Sequence, residues 1–189
     1  MSTPAVPGAD GVVLRDMTLD DVPAVNTLEQ RLFPADAWPL HMFFDELSQT
    51  DTRRYLVAET ASGIVGYAGL MCIEPIADVQ TIAVVPEFEG RGIGSALLTR
   101  LIGEAGRRGA QDVLLEVRAD NPRAQQLYLR FGFEQIHVRR RYYRDGVDAL
   151  YLGQFALARL AAGAPLPDST PLYLRESDAQ VPGPRKRAL

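Results

Sequence analysis

The stretch from Val79 to Leu98, VQTIAVVPEFEGRGIGSALL, constrains the fold more than any other part of this chain. Val79–Val85 is a nearly continuous apolar run rich in β-branched residues, the pattern of a strand buried on both faces. Pro86–Glu89 breaks the run, and Gly90-Arg91-Gly92-Ile93-Gly94-Ser95 is a glycine-rich turn. Ile93, Leu97, Leu98, Leu101 and Ile102 then recur at helical spacing, so the turn opens a helix. Such a junction is an anion site. The first N–H groups of the helix have no internal acceptor, they point at one spot, and the helix dipole adds to their pull.

Two common phosphate motifs do not match the turn. The dinucleotide fingerprint requires glycine where Ser95 stands. The P-loop requires Gly-Lys-Ser/Thr, and the single lysine of the chain is Lys186. The 189 residues suffice for one domain with a real core, and 47% hydrophobic and 23% charged residues are globular values. A net charge of −4 argues against a general nucleic-acid binder. No apolar run is long enough to span a membrane, and residues 1–10 lack the features of a signal peptide, which points to a cytoplasmic protein. The lone Cys72 excludes an internal disulfide and reads as a buried thiol. His41 and His137 lack metal-ligand spacing, so no metal site is expected.

In chain order, residues 1–10 are small and rich in Pro and Gly, and read as a flexible terminus. A strand is expected over Gly11–Asp16, a helix capped by Thr18 or Asp20 and running through Leu32, a loop over Pro34–Pro39 and a short helix over Leu40–Leu47. Arg54–Glu59 and Ile64–Ile73 read as a hairpin, followed by the central strand and helix. Asp112–Arg118 is the next strand. Asn121 is a good N-cap and Pro122 a good first helical residue, so Pro122–Arg130 is a helix closed by Gly132. Phe133–Val138 and Ala149–Phe155 are the last strands, on either side of the basic, Tyr-rich link Arg139–Arg144. The fold class is α/β (α+β), a mixed and mostly antiparallel central sheet with helices on both faces. One domain is expected over residues 11–157, and residues 158–189 form an extension that packs weakly or is disordered.

Two side chains stand out chemically. In DVLLEVR, Leu114, Glu116 and Arg118 share one face, and Val113, Leu115 and Val117 share the other. Glu116 interrupts an apolar strand, and a carboxylate there is costly to bury unless something pairs with it or uses it. In the following helix Ala124, Leu127, Tyr128 and Phe131 lie on one face, so Tyr128 points at the sheet with a hydroxyl in need of a partner. Either residue alone is equally consistent with a salt-bridged glutamate or a core tyrosine.

Together these segments resemble the GNAT acetyltransferases. Glu89-Gly90-Arg91-Gly92-Ile93-Gly94 resembles their pyrophosphate loop, Gln/Arg-x-x-Gly-x-Gly/Ala, with glutamate departing from the first position. LEVRADN-PRAQQLYLRFGF, IAVVPEFEGRGIGSALL, RRRYYRDGVDALYL and the Trp38-Pro39 loop resemble the RimI branch, across about Val12 to Leu152. The resemblance implies a GNAT fold and an acetyl-CoA-dependent transferase acting on a protein N-terminus, that of ribosomal protein S18 in the branch. It implies Glu116 as general base and Tyr128 as general acid. Ile82, Ala83 and Val84 would meet the pantetheine and thioester, Gly90, Arg91, Gly92, Ile93, Gly94 and Ser95 the pyrophosphate, and Asn121 a further part of acetyl-CoA. Trp38, Tyr142 and Tyr143 would form the peptide-side wall, with most of the arginines of the link solvated. The loop carries Gly90-Arg91 where the branch often has two basic residues, so one phosphate partner is missing. The tail PLYLRESDAQVPGPRKRAL resembles the C-terminal end of TsaB, which implies t6A-pathway proteins as possible partners. A GNAT enzyme acting on lysine side chains or small amines, and a non-catalytic acyl-CoA-binding module, are the alternatives.

Overall fold

A computed structural model describes residues 6–7 and 11–155. The expectations for the tail at 158–189, its TsaB-like stretch included, and for most of residues 1–10 lie outside the described residues. Within those first ten, Val6–Pro7 (β1) pairs with the following strand. The elements are then β2 (Val13–Asp16), α1 (Val22–Leu32), α2 (Leu40–Ser48), β3 (Arg53–Thr60), β4 (Gly63–Ile73), β5 (Ile76–Val84), α3 (Ile93–Arg107), β6 (Asp112–Arg118), α4 (Pro122–Arg130), β7 (Glu134–Arg139) and β8 (Ala149–Phe155).

The eight strands form one sheet in the order β1-β2-β3-β4-β5-β6-β8-β7. All pairs are antiparallel except β5 with β6, which α3 connects as the crossover that a parallel pair needs. Caps written in the sequence set the helix ends. The Asn121 side chain accepts the Ala124 N–H at 3.1 Å, with Pro122 as the first helical residue. Asp21 closes the entry to α1 by accepting from the Thr18 N–H at 2.8 Å and from the Thr18 hydroxyl at 2.9 Å. Arg15 holds the Asp21 carboxyl down at about 2.

Two apolar layers sandwich the sheet. On one face Leu97, Leu98 and Leu101 of α3 and Ala124 and Tyr128 of α4 pack on Leu56, Leu70, Val79, Ile82, Leu115 and Val117. On the other, Val22 and Val25 of α1 and Phe43 of α2 pack on Tyr55, Val57, Tyr67 and Ala83. Trp38, expected in a substrate wall, belongs to this second layer: it is 4% exposed, with its ring 5.7 Å from that of Phe43. The buried Glu29 fixes that loop, because its carboxylate accepts the Trp38 backbone N–H at 3.0 Å and the Tyr67 hydroxyl.

The pairing of β4 with β5 slips at one point. Gly69 faces Thr81 and Leu70 faces Val79, so Gln80 is an extra residue, a β-bulge. The bulge inverts the alternation along β5. Ala77 and Val79 face the α3 side, and beyond the bulge Ile82 and Val84 do so while Ala83 faces the other way. The parallel pairing with β6 ends at the same place, since Val79 opposite Leu115 is its last pair.

Gly69, at the slip, leaves room for a bulky neighbour. A Cβ on Gly69 would lie 2.2 Å from Cε1 of the buried Tyr55 ring. Gly69→Ala is therefore expected to lower stability by about 1–3 kcal/mol, the usual cost of overpacking. Thermal or denaturant unfolding of the variant measures this, and an unchanged midpoint would refute the account of close packing between Gly69 and Tyr55.

Candidate active site

Past Val79, β5 pairs with β4 alone, and Glu116, Val117 and Arg118 of β6 pair with β8 alone. The two parallel strands thus part, and the facing backbone edges of Thr81–Val84 are left without a strand partner. A cavity of about 280 Å³ lies at the parting. Ile82 and Val84 form its floor, and Gly90, Gly92, Gly94 and Ser95 one wall. Asn121, Arg123, Ala124, Leu127 and Tyr128 form the other.

The glycine turn is built to present N–H groups. Gly90 and Gly92 have φ of 76° and 81°, the left-handed region that other residues seldom occupy. Gly92 is the N-cap of α3, and the first bond inside the helix runs from the Ala96 N–H to the Gly92 carbonyl at 2.9 Å. The N–H groups of Ile93, Gly94 and Ser95 therefore have no helical acceptor. The Ile93 side chain turns into the core, so this residue contributes only its backbone. Arg91 does not line the cavity. Its guanidinium sits 4.7 Å above the Phe88 ring and donates to the Glu87 carbonyl at 3.3 Å.

Tyr128 reaches the cavity from α4, fully buried, its ring edge-on to Phe133 at 5.9 Å. Its hydroxyl has no hydrogen-bond partner. Burial, with a smaller contribution from Tyr143, pushes this phenol well above the ordinary tyrosine range, so it keeps its proton at neutral pH. An orphaned buried hydroxyl costs stability unless a ligand completes it.

Glu116 approaches from the other side. Val113, Leu115 and Val117 pack on the α3 and α4 face, so alternation sends Glu116 to the opposite face. It is 5% exposed, and Oε1 lies 2.5 Å from Nη1 of Arg139, an ion pair without hydrogen-bond geometry. Arg139 is thus not one of the solvated arginines of its link. It lies 5.5 Å from the Tyr142 ring and 5.1 Å from the Tyr151 ring. Tyr143 is buried under Arg118, and Tyr142 remains half-exposed. The candidate acid and base therefore lie on opposite faces of the sheet and do not share one pocket. Eight of the expected site residues meet at the cavity. Ala83, Arg91, Ile93, Glu116, Trp38, Tyr142 and Tyr143 do not line it.

A splayed parallel pair, with free helix N–H groups at its mouth and an unpartnered phenol beside the cavity, matches the GNAT arrangement expected from the sequence. The acetyltransferase (GNAT) family model matches residues 22–133, and the chain belongs to that family. It is 40% identical over 144 residues to the N-alpha-acetyltransferase RimI of Mycobacterium tuberculosis, covering 73% of this chain and 89% of that one. It is 36% identical over 125 residues to the ribosomal protein bS18-alanine N-acetyltransferase of Escherichia coli, covering 65% and 81%. A crystal structure of the ribosomal-protein-S18-alanine N-acetyltransferase from Escherichia coli superposes with a TM-score of 0.69 at 30% identity, covering 77% of this chain and 95% of that one. Among the described residues no cluster of potential metal ligands occurs, and no helix is long and apolar enough to cross a membrane.

Two outcomes follow from this geometry. Tyr128→Phe removes an unpartnered hydroxyl and keeps the ring, so its melting temperature is expected to equal or exceed that of the wild type. A loss above about 1 kcal/mol would mean that the hydroxyl has a structural partner. Gly92→Asp places a carboxylate among the free N–H groups, and direct binding measurements should find acetyl-CoA affinity sharply reduced while circular dichroism is unchanged. Unaltered affinity would rule out the turn as the anion site.

Proposed function

We propose that the chain is a cytoplasmic protein Nα-acetyltransferase that moves acetyl from acetyl-CoA to the N-terminal alanine of ribosomal protein S18 or to similar small-residue N-termini. The observation that carries this reading is the orphaned Tyr128 hydroxyl at the base of a cavity whose rim is a row of free N–H groups. The relatives that act on ribosomal protein S18 supply the substrate class.

In this reading the free N–H groups of the turn hold the pyrophosphate of the co-substrate. The unpaired edge of Ile82, Ala83 and Val84 bonds the pantetheine and leads the thioester into the parting. Asn121 borders the pantetheine arm. The amine arrives from the Glu116 side, where Tyr142 is the accessible aromatic wall; Tyr143 and Trp38 support that wall from within. The amine nitrogen forms a bond to the thioester carbon. Glu116 takes the proton that the nitrogen sheds, directly or through water, and an α-amine of unperturbed pKa about 7.7–8.0 asks only a weak base for this. A backbone N–H near Val84 faces the charge that gathers on the carbonyl oxygen. The carbon–sulfur bond breaks, and the sulfur takes its proton from Tyr128, which solvent later restores. Burial raises the basicity of a departing thiolate as it raises that of Tyr128, which keeps this proton transfer feasible.

Acetyl transfer to a panel of short peptides tests the proposal. A peptide with a free N-terminal alanine should be acetylated, and blocking its N-terminus while keeping an internal lysine should abolish transfer. Tyr128→Phe should lower turnover by about 10²–10⁴-fold with acetyl-CoA still bound. Glu116→Gln should lose activity most at low pH, where more of the amine is protonated. Equal rates with the blocked and free peptides would reassign the enzyme to lysine side chains.

A further inference from the structure

The pyrophosphate loop of this chain has glycine at 90, and its one basic residue, Arg91, lies over Phe88 outside the cavity. Arg123, the second residue of α4, does line the cavity. Its Nη1 lies 2.5 Å from Oε2 of Glu89, the residue just before the turn. Its Nη2 lies 3.7 Å from the position a Cβ on Gly90 would take. That is van der Waals distance, so the guanidinium lies directly against the turn, whose φ of 76° at Gly90 is what calls for glycine. The pair is half in solvent, with 61% of the Arg123 and 33% of the Glu89 side chain exposed. Such pairs contribute little to stability, so the fold does not depend on this one.

From this we infer that Arg123 supplies the cation missing from the turn: it reaches over from α4 and binds the pyrophosphate of the co-substrate beside Gly90. Glu89 holds the guanidinium at the rim, and Arg123 in turn neutralises a carboxylate that would otherwise repel the phosphates. The guanidinium has donors for both roles, Nη1 toward Glu89 and Nη2 toward the turn. The inference rests on the acetyl-CoA reading of the cavity.

Calorimetric titration with CoA, dephospho-CoA and pantetheine tests it. Dephospho-CoA keeps the pyrophosphate and lacks the 3′-phosphate, and pantetheine lacks both. Arg123→Ala is expected to weaken CoA and dephospho-CoA alike, by about tenfold for a lost charge-assisted hydrogen bond, and to leave pantetheine unchanged. Adding Glu89→Gln should restore part of the loss, because the uncompensated carboxylate is then gone. Arg91→Ala should cost less than Arg123→Ala. The exposed position of Arg123 leaves the fold intact, which circular dichroism checks. CoA affinity unchanged in Arg123→Ala overturns the inference. So does a loss seen with CoA and absent with dephospho-CoA, which moves the contact to the 3′-phosphate. A wild-type chain that binds none of the three overturns the acetyl-CoA reading as well.

Discussion

The parting of β5 from β6 after Val79 and Leu115 is the constraint on which the site depends. A closed sheet would satisfy the backbone of Thr81–Val84 and leave nothing to hold a ligand. The bulge at Gln80 adds a residue and local twist to β5 where the pairing stops. It also turns Ile82 and Val84 toward the α3 face, where they floor the cavity. Because α3 is the crossover between the two diverging strands, its N-terminus sits at the mouth of the gap. One irregularity thus supplies an unpaired edge, an apolar floor and a ring of free donors.

The electrostatics divide the molecule in the same way. Away from the cavity, charges are closed into networks. Burial pushes the Glu104 carboxyl up, but hydrogen bonds from Arg108 and Arg54 outweigh it and hold the group low. Arg108 also donates to the carbonyls of Thr50, Asp51 and Arg53, tying the end of α3 to the loop before β3. Arg15 bridges Asp21 and Glu59 in a similar manner. At the parting the satisfaction fails: the Tyr128 hydroxyl, the Thr81 hydroxyl and Glu116 Oε2 are buried without hydrogen bonds. Buried polar groups are usually paired, and two of these three beside an open strand edge, those of Tyr128 and Glu116, are the ones the proposed reaction puts to use.

Most of the architecture was legible because local signals agreed with the global fold. Asp112–Arg118, Pro122–Arg130 and Ala149–Phe155 fall where alternation, Asn121-Pro122 and Gly132 place them. The bulge was not legible, since Gln80 inside VQTIAVV reads as one more strand residue until its partner strand is known. That omission hid which residues of β5 face the cavity. Side-chain partners were harder still. Trp38 reads as a loop residue that the resemblance places in the peptide-side wall, yet Glu29 holds the loop inward and the indole fills the core. Arg139 reads as one of several solvated arginines, and only the β7–β8 pairing brings it to Glu116. Arg123 meets Glu89 across 34 residues of sequence, a pairing that no spacing rule reveals.

The placement of the proposed acid and base on opposite faces bears on the order of chemical events. Tyr128 belongs to the α3–α4 face and Glu116 to the face of Arg139 and Tyr151. Two reactants approaching from opposite faces can be bound together and meet only in the gap, which favours direct transfer within a ternary complex. A covalent acyl-enzyme would need a nucleophile at the gap, and the one thiol of the chain is badly placed for that. Cys72 pairs with Ala77, in the stretch where β5 and β6 are still joined. Burial also pushes its thiol up, which lowers the thiolate fraction that nucleophilic attack requires. The sheet that opens on one side of Val79 stays closed on the other, and the cysteine lies behind that closure.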